Sequence, residues 1–184
     1  MLKAGCGGIV TVQGADAVDR AAVPAQRGSR PRPGVVGYAP GVYDLFHIGH
    51  LNILRHAKAR CDFLIAGVVS DEMACRAKGK WPVVPLVERL EIIRHIEFVD
   101  EAYAEAVPSK LDVWQELRFD VIFKGGDWKG TPKGDALERD FGPLGVEVVY
   151  FPYTVQTSST ILRRALEQVV DEPRARAAFG PGER

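Results

Sequence analysis

The ten residues Gly41-Val42-Tyr43-Asp44-Leu45-Phe46-His47-Ile48-Gly49-His50 join a short apolar run to an amphipathic segment. The apolar run from Val35 to Ala39 predicts a buried strand, and residues 48–60 place apolar side chains at near-helical spacing, which predicts a helix. A helix N-terminus has free N–H groups and a positive partial charge, which favour a phosphate. Two imidazoles three residues apart lie on one side of the first turn, where both can donate hydrogen bonds to a phosphoryl group.

Strand-like and helix-like segments continue to alternate after this junction. Further strands are predicted at residues 63–69, 98–103, 121–124 and 146–151. Further helices are predicted at residues 86–96, 109–118, 134–142 and 158–170. The first of these helices is expected to keep Arg89 on its solvent side, and Ser109 and Ser158 are expected to cap the second and the last. This order predicts an α/β fold with a doubly wound, parallel, five-stranded sheet and helices on both faces, whose ligands bind at the carboxyl ends of the strands.

Composition limits the classes of partner. The chain has 184 residues, 46% hydrophobic, with 24 basic and 24 acidic side chains, which predicts one domain and argues against a nucleic-acid partner. No apolar run is long enough to span a membrane and no secretory signal is present, so we expect no membrane partner and a cytoplasmic location. Residues 1–33 are interpreted as a flexible extension, residues 34–170 as the domain, and residues 171–184 as a tail.

The histidine motif has less specific readings. Both imidazoles could simply cap or pack the helix, and a zinc site is disfavoured because no cysteine or acidic cluster joins them. His56 and His95 are separate from the motif in sequence.

Together with the segments that follow, the motif resembles the cytidylyltransferase-like branch of the nucleotidyltransferase superfamily, and within it the glycerol-3-phosphate cytidylyltransferases. The likeness spans about residues 35–168. It implies a Rossmann-like fold and transfer of CMP from CTP to a small phosphorylated alcohol, such as glycerol 3-phosphate, with release of pyrophosphate. It also implies a homodimer, and Mg²⁺ held mainly through the triphosphate.

The same resemblance implies a role for individual residues. The catalytic residues would be His47, His50 and Lys78, with Lys78 on a loop after the second strand and Lys80 as its alternative. The nucleotide would be bound by Gly41, Val42, Tyr43, Arg89, Asp127, Thr154, Ser158, Ser159, Thr160 and Arg163. The acceptor would be bound by Asp44, Lys80, Lys110 and Trp128. From the residues alone, Arg89 could equally pair along its own helix, and Lys110 could be a surface residue.

Some positions depart from the family pattern. Glu97 and Tyr153 replace two family arginines, and Gly126 replaces the first aspartate of a G-D-D-W motif; the first change weakens the implied dimer. Residues 158–163 also resemble the S-S-T-x-x-R ending of adenylyltransferases. An adenylyltransferase acting on a sugar phosphate, such as a heptose phosphate, therefore remains an alternative, as does a catalytically silent nucleotide-binding module.

Overall fold

The computed structural model describes residues 34–152 and 157–171. Tyr153, Thr154 and the predicted extension lie outside the described residues, and the predicted domain limits stay predictions. Within the described ranges, no helix is long and apolar enough to cross a membrane.

Five strands and six helices alternate along the described chain, except that two helices lie between the second and third strands. The strands are β1 (Val36–Gly41), β2 (Phe63–Val69), β3 (Glu101–Glu105), β4 (Val121–Gly125) and β5 (Glu147–Phe151). The helices are α1 (Ile48–Lys58), α2 (Asp71–Lys78), α3 (Leu86–Arg94), α4 (Lys110–Leu117), α5 (Pro132–Phe141) and α6 (Ser159–Asp171). Helix α2 is absent from the sequence-based prediction, and β3 begins three residues later than predicted.

The strands form one sheet in the order β3-β2-β1-β4-β5, and every neighbouring pair is parallel. Helices α1 and α3 pack on one face through Leu54, Ala57 and Ile93. Helices α4 and α5 pack on the other through residues such as Val113 and Phe141. The predicted doubly wound sheet with helices on both faces is therefore confirmed, and its topological switch point lies between β1 and β4.

A buried polar network crosses the centre of the sheet. The Tyr38 hydroxyl on β1 donates a hydrogen bond to the carboxylate of Glu105 at the end of β3, and both side chains are fully buried. Gly67 on β2 makes room for this contact, because a Cβ there would lie 2.2 Å from the Tyr38 hydroxyl oxygen. Lys110, the first residue of α4, forms an ion pair with the same carboxylate, so this network joins the carboxyl edge of the sheet to α4.

Helix α5 depends on a glycine in its first turn. A Cβ at Gly134 would lie 2.1 Å from the carbonyl oxygen of Trp128, which is a backbone atom, whereas a Cβ at Gly142 would meet no atom within 4 Å. We therefore expect Gly134→Ala to lower the free energy of unfolding by about 1–3 kcal/mol. The matched change Gly142→Ala should be neutral or stabilising by less than about 1 kcal/mol. Chemical denaturation measures both, and equal effects of the two substitutions would contradict this packing.

Candidate functional site: a cavity between the starts of two helices

A cavity opens at the carboxyl edge of the sheet, where α1 and α6 both begin. It brings together six of the residues predicted from sequence, namely His47, His50, Lys78, Ser158, Ser159 and Thr160. Its remaining lining residues are Gly49, Asn52, Ile53, His56, Gly125, Phe151 and Pro152. Two helix N-termini, each with amide groups that lack an intrahelical acceptor, thus face one space that also holds a lysine.

His47 has a tautomer fixed by its neighbours. It is the N-cap of α1, and its Nδ1 accepts a hydrogen bond from the Gly49 amide at 3.0 Å. The neutral ring therefore carries its proton on Nε2. This Nε2 lies 3.3 Å from Oγ of Ser159, which itself donates to the carbonyl oxygen of Asp44 at 2.8 Å. His47 thus contacts the start of α6 with an N–H group.

His50 is more enclosed than His47. The two rings stack with centroids 4.0 Å apart, and the rings of Tyr43 and Phe46 lie 5.4 and 5.5 Å from His50. This burial, with the nearby His47 and Lys78 as smaller causes, lowers the pKa of His50 to about 3. Burial also lowers the pKa of His47. Both rings are therefore neutral at pH 7 in the unliganded chain, and each offers a ligand one N–H donor.

The burial of His50 predicts an acid-sensitive stability. In the unfolded chain a histidine has a pKa of about 6.5, so below that pH the unfolded state binds a proton that native His50 does not bind. The resulting loss of stability begins near pH 6.5 and reaches about 2 kcal/mol at pH 5. His50→Gln cannot take up this proton, so its free energy of unfolding should fall less between pH 7 and pH 5.

Urea denaturation of wild type and His50→Gln at the two pH values measures this difference. A parallel loss of stability in both proteins would show that His50 titrates normally in the native state.

Asp44 connects the segments that surround the cavity. Its Oδ1 accepts the amides of Val83 and Val84 at 2.9 and 3.0 Å, and its Oδ2 accepts Nη2 of Arg163 on α6 at 2.6 Å. The residue is 5% exposed. Asp44 was predicted to contact the acceptor, but both carboxylate oxygens are occupied by internal donors. We therefore assign it a positioning role.

The loop that precedes α1 has a strained backbone. Tyr43 and Leu45 have φ angles of 55° and 49°, a region that residues other than glycine rarely adopt. The Tyr43 hydroxyl donates to the carbonyl of Ala39 at 2.7 Å, and Asp44 holds the middle of the loop. Tyr43, predicted to bind nucleotide, is 3% exposed and instead packs against His50. Neither Gly41 nor Val42 lines the cavity within the described part of the chain.

Arg89 is buried, which contradicts its predicted position on the solvent side of its helix. Its guanidinium donates to the carbonyls of Val42, Val69 and Val84 and forms an ion pair with Asp71 at 2.6 Å. These contacts join α3 to the ends of β1 and β2. Arg89 therefore supports the loop beneath the cavity, and its predicted contact with nucleotide finds no support in this geometry.

Lys78 lines the cavity from the last turn of α2, so its predicted location on a loop is wrong. Gly79 ends the helix with a φ of 68°, a left-handed conformation suited to glycine. Lys80 follows this turn and is exposed. It does not line the cavity in the described structure, which favours Lys78 over its alternative.

The predicted acceptor residues Lys110 and Trp128 lie elsewhere. They line a second cavity, between α4 and α5, together with Ser109 and Lys133. Neither residue lines the first cavity in the described part of the chain. Asp127 is exposed, and its Oδ1 lies over Gly125, 2.5 Å from where a Cβ of that glycine would be.

Four residues of α1 were missed in the sequence analysis. Gly49, Asn52, Ile53 and His56 all line the first cavity. They occur at positions i, i+3, i+4 and i+7, a spacing that places them on one face of a helix. Continuing the helical face from Gly49 at this spacing would therefore have predicted the other three residues. The His56 ring also lies 5.4 Å from the ring of Phe151.

Comparison with known families agrees with this arrangement. The cytidylyltransferase-like family pattern matches residues 38–165, which include all the lining residues of the first cavity. The chain belongs to the cytidylyltransferase-like family. Among solved structures of other proteins, a lipopolysaccharide core biosynthesis protein from Thermoplasma volcanium superposes with a TM-score of 0.57 and 27% identity, covering 67% of this chain and 99% of that one.

Relatives in this family carry different names. The bifunctional protein HldE of Streptomyces coelicolor is 38% identical over 75% of this chain, and the ethanolamine-phosphate cytidylyltransferase of Arabidopsis thaliana is 37% identical over 57%. The chain spans 30% and 26% of their respective lengths. The FAD synthase of Pyrococcus abyssi is 33% identical over 71% of this chain and 92% of its own. Family membership therefore leaves the substrates open.

Proposed function

We propose that the chain is a nucleotidyltransferase that moves CMP from CTP to a small phosphorylated alcohol, such as glycerol 3-phosphate, and releases pyrophosphate. The observation that carries the proposal is the convergence of two neutral imidazoles, Lys78 and the hydroxyls of Ser159 and Thr160 on one cavity at the starts of α1 and α6. Hydrogen-bond donors and one cation placed in this way suit a polyphosphate.

In the proposed reaction, a phosphate oxygen of the acceptor attacks the α-phosphorus. The bond from that phosphorus to the bridging oxygen breaks, and the electron pair leaves with pyrophosphate. The acceptor is itself the nucleophile, so no covalent intermediate with the protein forms. The imidazole N–H groups of His47 and His50 would donate to the α-phosphate, and Lys78 would offset the charge that develops there.

The leaving pyrophosphate would lie at the start of α6. The first amides of that helix have no intrahelical acceptor, and the hydroxyls of Ser159 and Thr160 line the same space. Arg163 was predicted to bind the pyrophosphate, and its pair with Asp44 holds the guanidinium one turn into the helix. Arg163 does not line the cavity in the described structure, so its contact with pyrophosphate stays a prediction.

We propose that Mg²⁺ enters with the triphosphate. Within the described ranges, no group of three or more His, Cys, Asp or Glu side chains is placed to hold a metal ion. Phosphate oxygens and water would therefore supply most of its ligands. When bound, the ion neutralises charge on the triphosphate.

The proposal includes a cytoplasmic location and a homodimer. A cytoplasmic location would give access to nucleoside triphosphates. A homodimer would cover the apolar side chains of Val87 and Ile92 on α3, which are 59% and 41% exposed. Sedimentation equilibrium tests the dimer.

The nucleobase separates the first proposal from its alternative. Similarity to an ethanolamine-phosphate cytidylyltransferase supports CTP. The S-S-T-x-x-R ending at residues 158–163 supports an adenylyltransferase acting on a sugar phosphate.

A substrate panel tests the reaction. The four common nucleoside triphosphates are each combined with phosphorylated alcohols and sugar phosphates, and pyrophosphate release is measured. We expect turnover with CTP and a phosphorylated alcohol. Turnover with ATP and a sugar phosphate would instead support the alternative, and nucleotide binding without turnover on any acceptor would support a silent module.

The contribution of the imidazole donors is tested in the same assay. His50→Ala should lower kcat by about 10²-fold or more, the usual cost of one well-aimed donor to the transition state. His95→Ala is the matched control, because the His95 side chain is 75% exposed at the end of α3. Full turnover by folded His50→Ala would refute the assigned role.

A further inference from the structure

Lys124 is a buried lysine that the proposed reaction does not yet use. It lies near the end of β4 and is 7% exposed. Its Nζ lies 3.4 Å from the carbonyl oxygen of Pro40 on β1 and 4.1 Å from the centre of the Trp128 ring. The contact with Pro40 joins β1 to β4, so the ammonium lies at the switch point of the sheet, where ligands of such folds bind.

Lys124 lines neither cavity in the described structure, but it lies beside one lining residue of each. The next residue along the strand, Gly125, lines the first cavity, and Trp128 lines the second. The second cavity has a volume of about 300 Å³, which is at the small end of ligand sites and fits a small phosphorylated molecule. An acceptor that extends from the second cavity towards a nucleotide in the first would therefore pass Trp128 and Gly125, the two residues beside Lys124.

The charges around Lys124 are unbalanced. Glu105 is the fully buried carboxylate nearby, and it is already paired with Lys110. In the described structure no carboxylate forms an ion pair with Lys124, and its hydrogen bond to the Pro40 carbonyl is long, at 3.4 Å. A buried ammonium normally has a counter-charge, because burial of an unpaired charge is costly. This site therefore lacks one negative charge.

The same surroundings weaken the proton affinity of Lys124. Its pKa is lowered to about 7, mainly by burial and then by Lys110, while Glu105 and Asp127 oppose this shift and Lys78 adds slightly to it. These groups belong to α4, β3, the turn after β4, and α2. Near neutral pH the unliganded site therefore holds a lysine that is partly neutral.

We propose that Lys124 binds the phosphate of the acceptor, and that this phosphate supplies the missing negative charge. The inference rests on the proposed function and identifies the acceptor's reacting end as a phosphomonoester dianion. A dianion beside the amine favours its protonated form. Binding should therefore raise the pKa of Lys124 and draw a proton from solution above pH 7.

Calorimetry tests the proton uptake. Glycerol 3-phosphate and inorganic phosphate are titrated into the full chain at about pH 8.5, in two buffers with different ionisation enthalpies, with and without a methylene-bridged CTP or ATP analogue. At this pH the phosphates are already dianions and free Lys124 is mostly neutral, so we expect uptake approaching one proton per phosphate bound. Binding without proton uptake, or no binding of either phosphate, overturns the inference.

Two lysine variants test whether the proton uptake and the phosphate binding arise at Lys124. Lys124→Met keeps the apolar stem and should abolish the proton uptake and weaken phosphate binding about tenfold or more, the loss expected for a charge-assisted hydrogen bond. Lys129→Met is the matched control, because Lys129 is exposed in the same segment. Phosphate binding by Lys124→Met within twofold of wild type overturns the inference. Should Lys124→Met melt below wild type, Lys124→Gln is measured in its place.

Turnover separates this inference from the proposed function. Lys124→Met should raise the KM for the acceptor and leave the KM for the nucleotide unchanged. A wild-type chain that takes up a proton with phosphate but turns over no nucleotide would refute the proposed function and keep the phosphate site. Full turnover by the wild-type chain, with an unchanged acceptor KM in Lys124→Met, would refute the phosphate site and keep the proposed function.

Discussion

The geometry of the site depends on the buried carboxylate of Asp44. One carboxylate oxygen accepts hydrogen bonds from the amides of Val83 and Val84, and the other accepts one from Arg163. The backbone carbonyl of Asp44 accepts a further hydrogen bond from the Ser159 hydroxyl. These segments are far apart in the sequence, and the hydrogen bonds of Asp44 bring them together around the cavity. Buried side-chain hydrogen bonds to a charged group are among the stronger ones in proteins, so this single residue can hold the start of α6 against the loop that carries His47. The two helix N-termini face one space because of it.

The overall fold was predictable because its strands leave a clear signal. Residues 63–69 form an apolar run, and the structure has a strand with the same bounds. Strand β3 was misplaced because Glu101–Glu105 begins and ends with a glutamate, while the apolar Phe98 and Val99 before it pack outside the strand. Helix α2 was missed because it is short and four of its eight residues are charged.

The site was predictable where one short segment carries the chemistry, and less so where distant segments meet. The histidine motif and the hydroxyls before α6 were found because each occurs at the start of a helix. Arg89 was placed on the surface because a charged residue in an amphipathic helix is normally exposed. Its carbonyl partners come from two loops and the end of β2, which no local pattern reveals. Lys124 was assigned no role for a related reason, since its environment is made by Trp128 and by Pro40 on β1.

The central claim is that two helix N-termini and two neutral imidazoles bind one polyphosphate. A crystal structure of the chain with a methylene-bridged triphosphate analogue tests it most directly. The account predicts that α-phosphate oxygens accept hydrogen bonds from the rings of His47 and His50, and that the terminal phosphates lie at Ser159 and Thr160. A triphosphate bound outside this cavity, or held by one of the two helices while the other stays empty, would contradict the account.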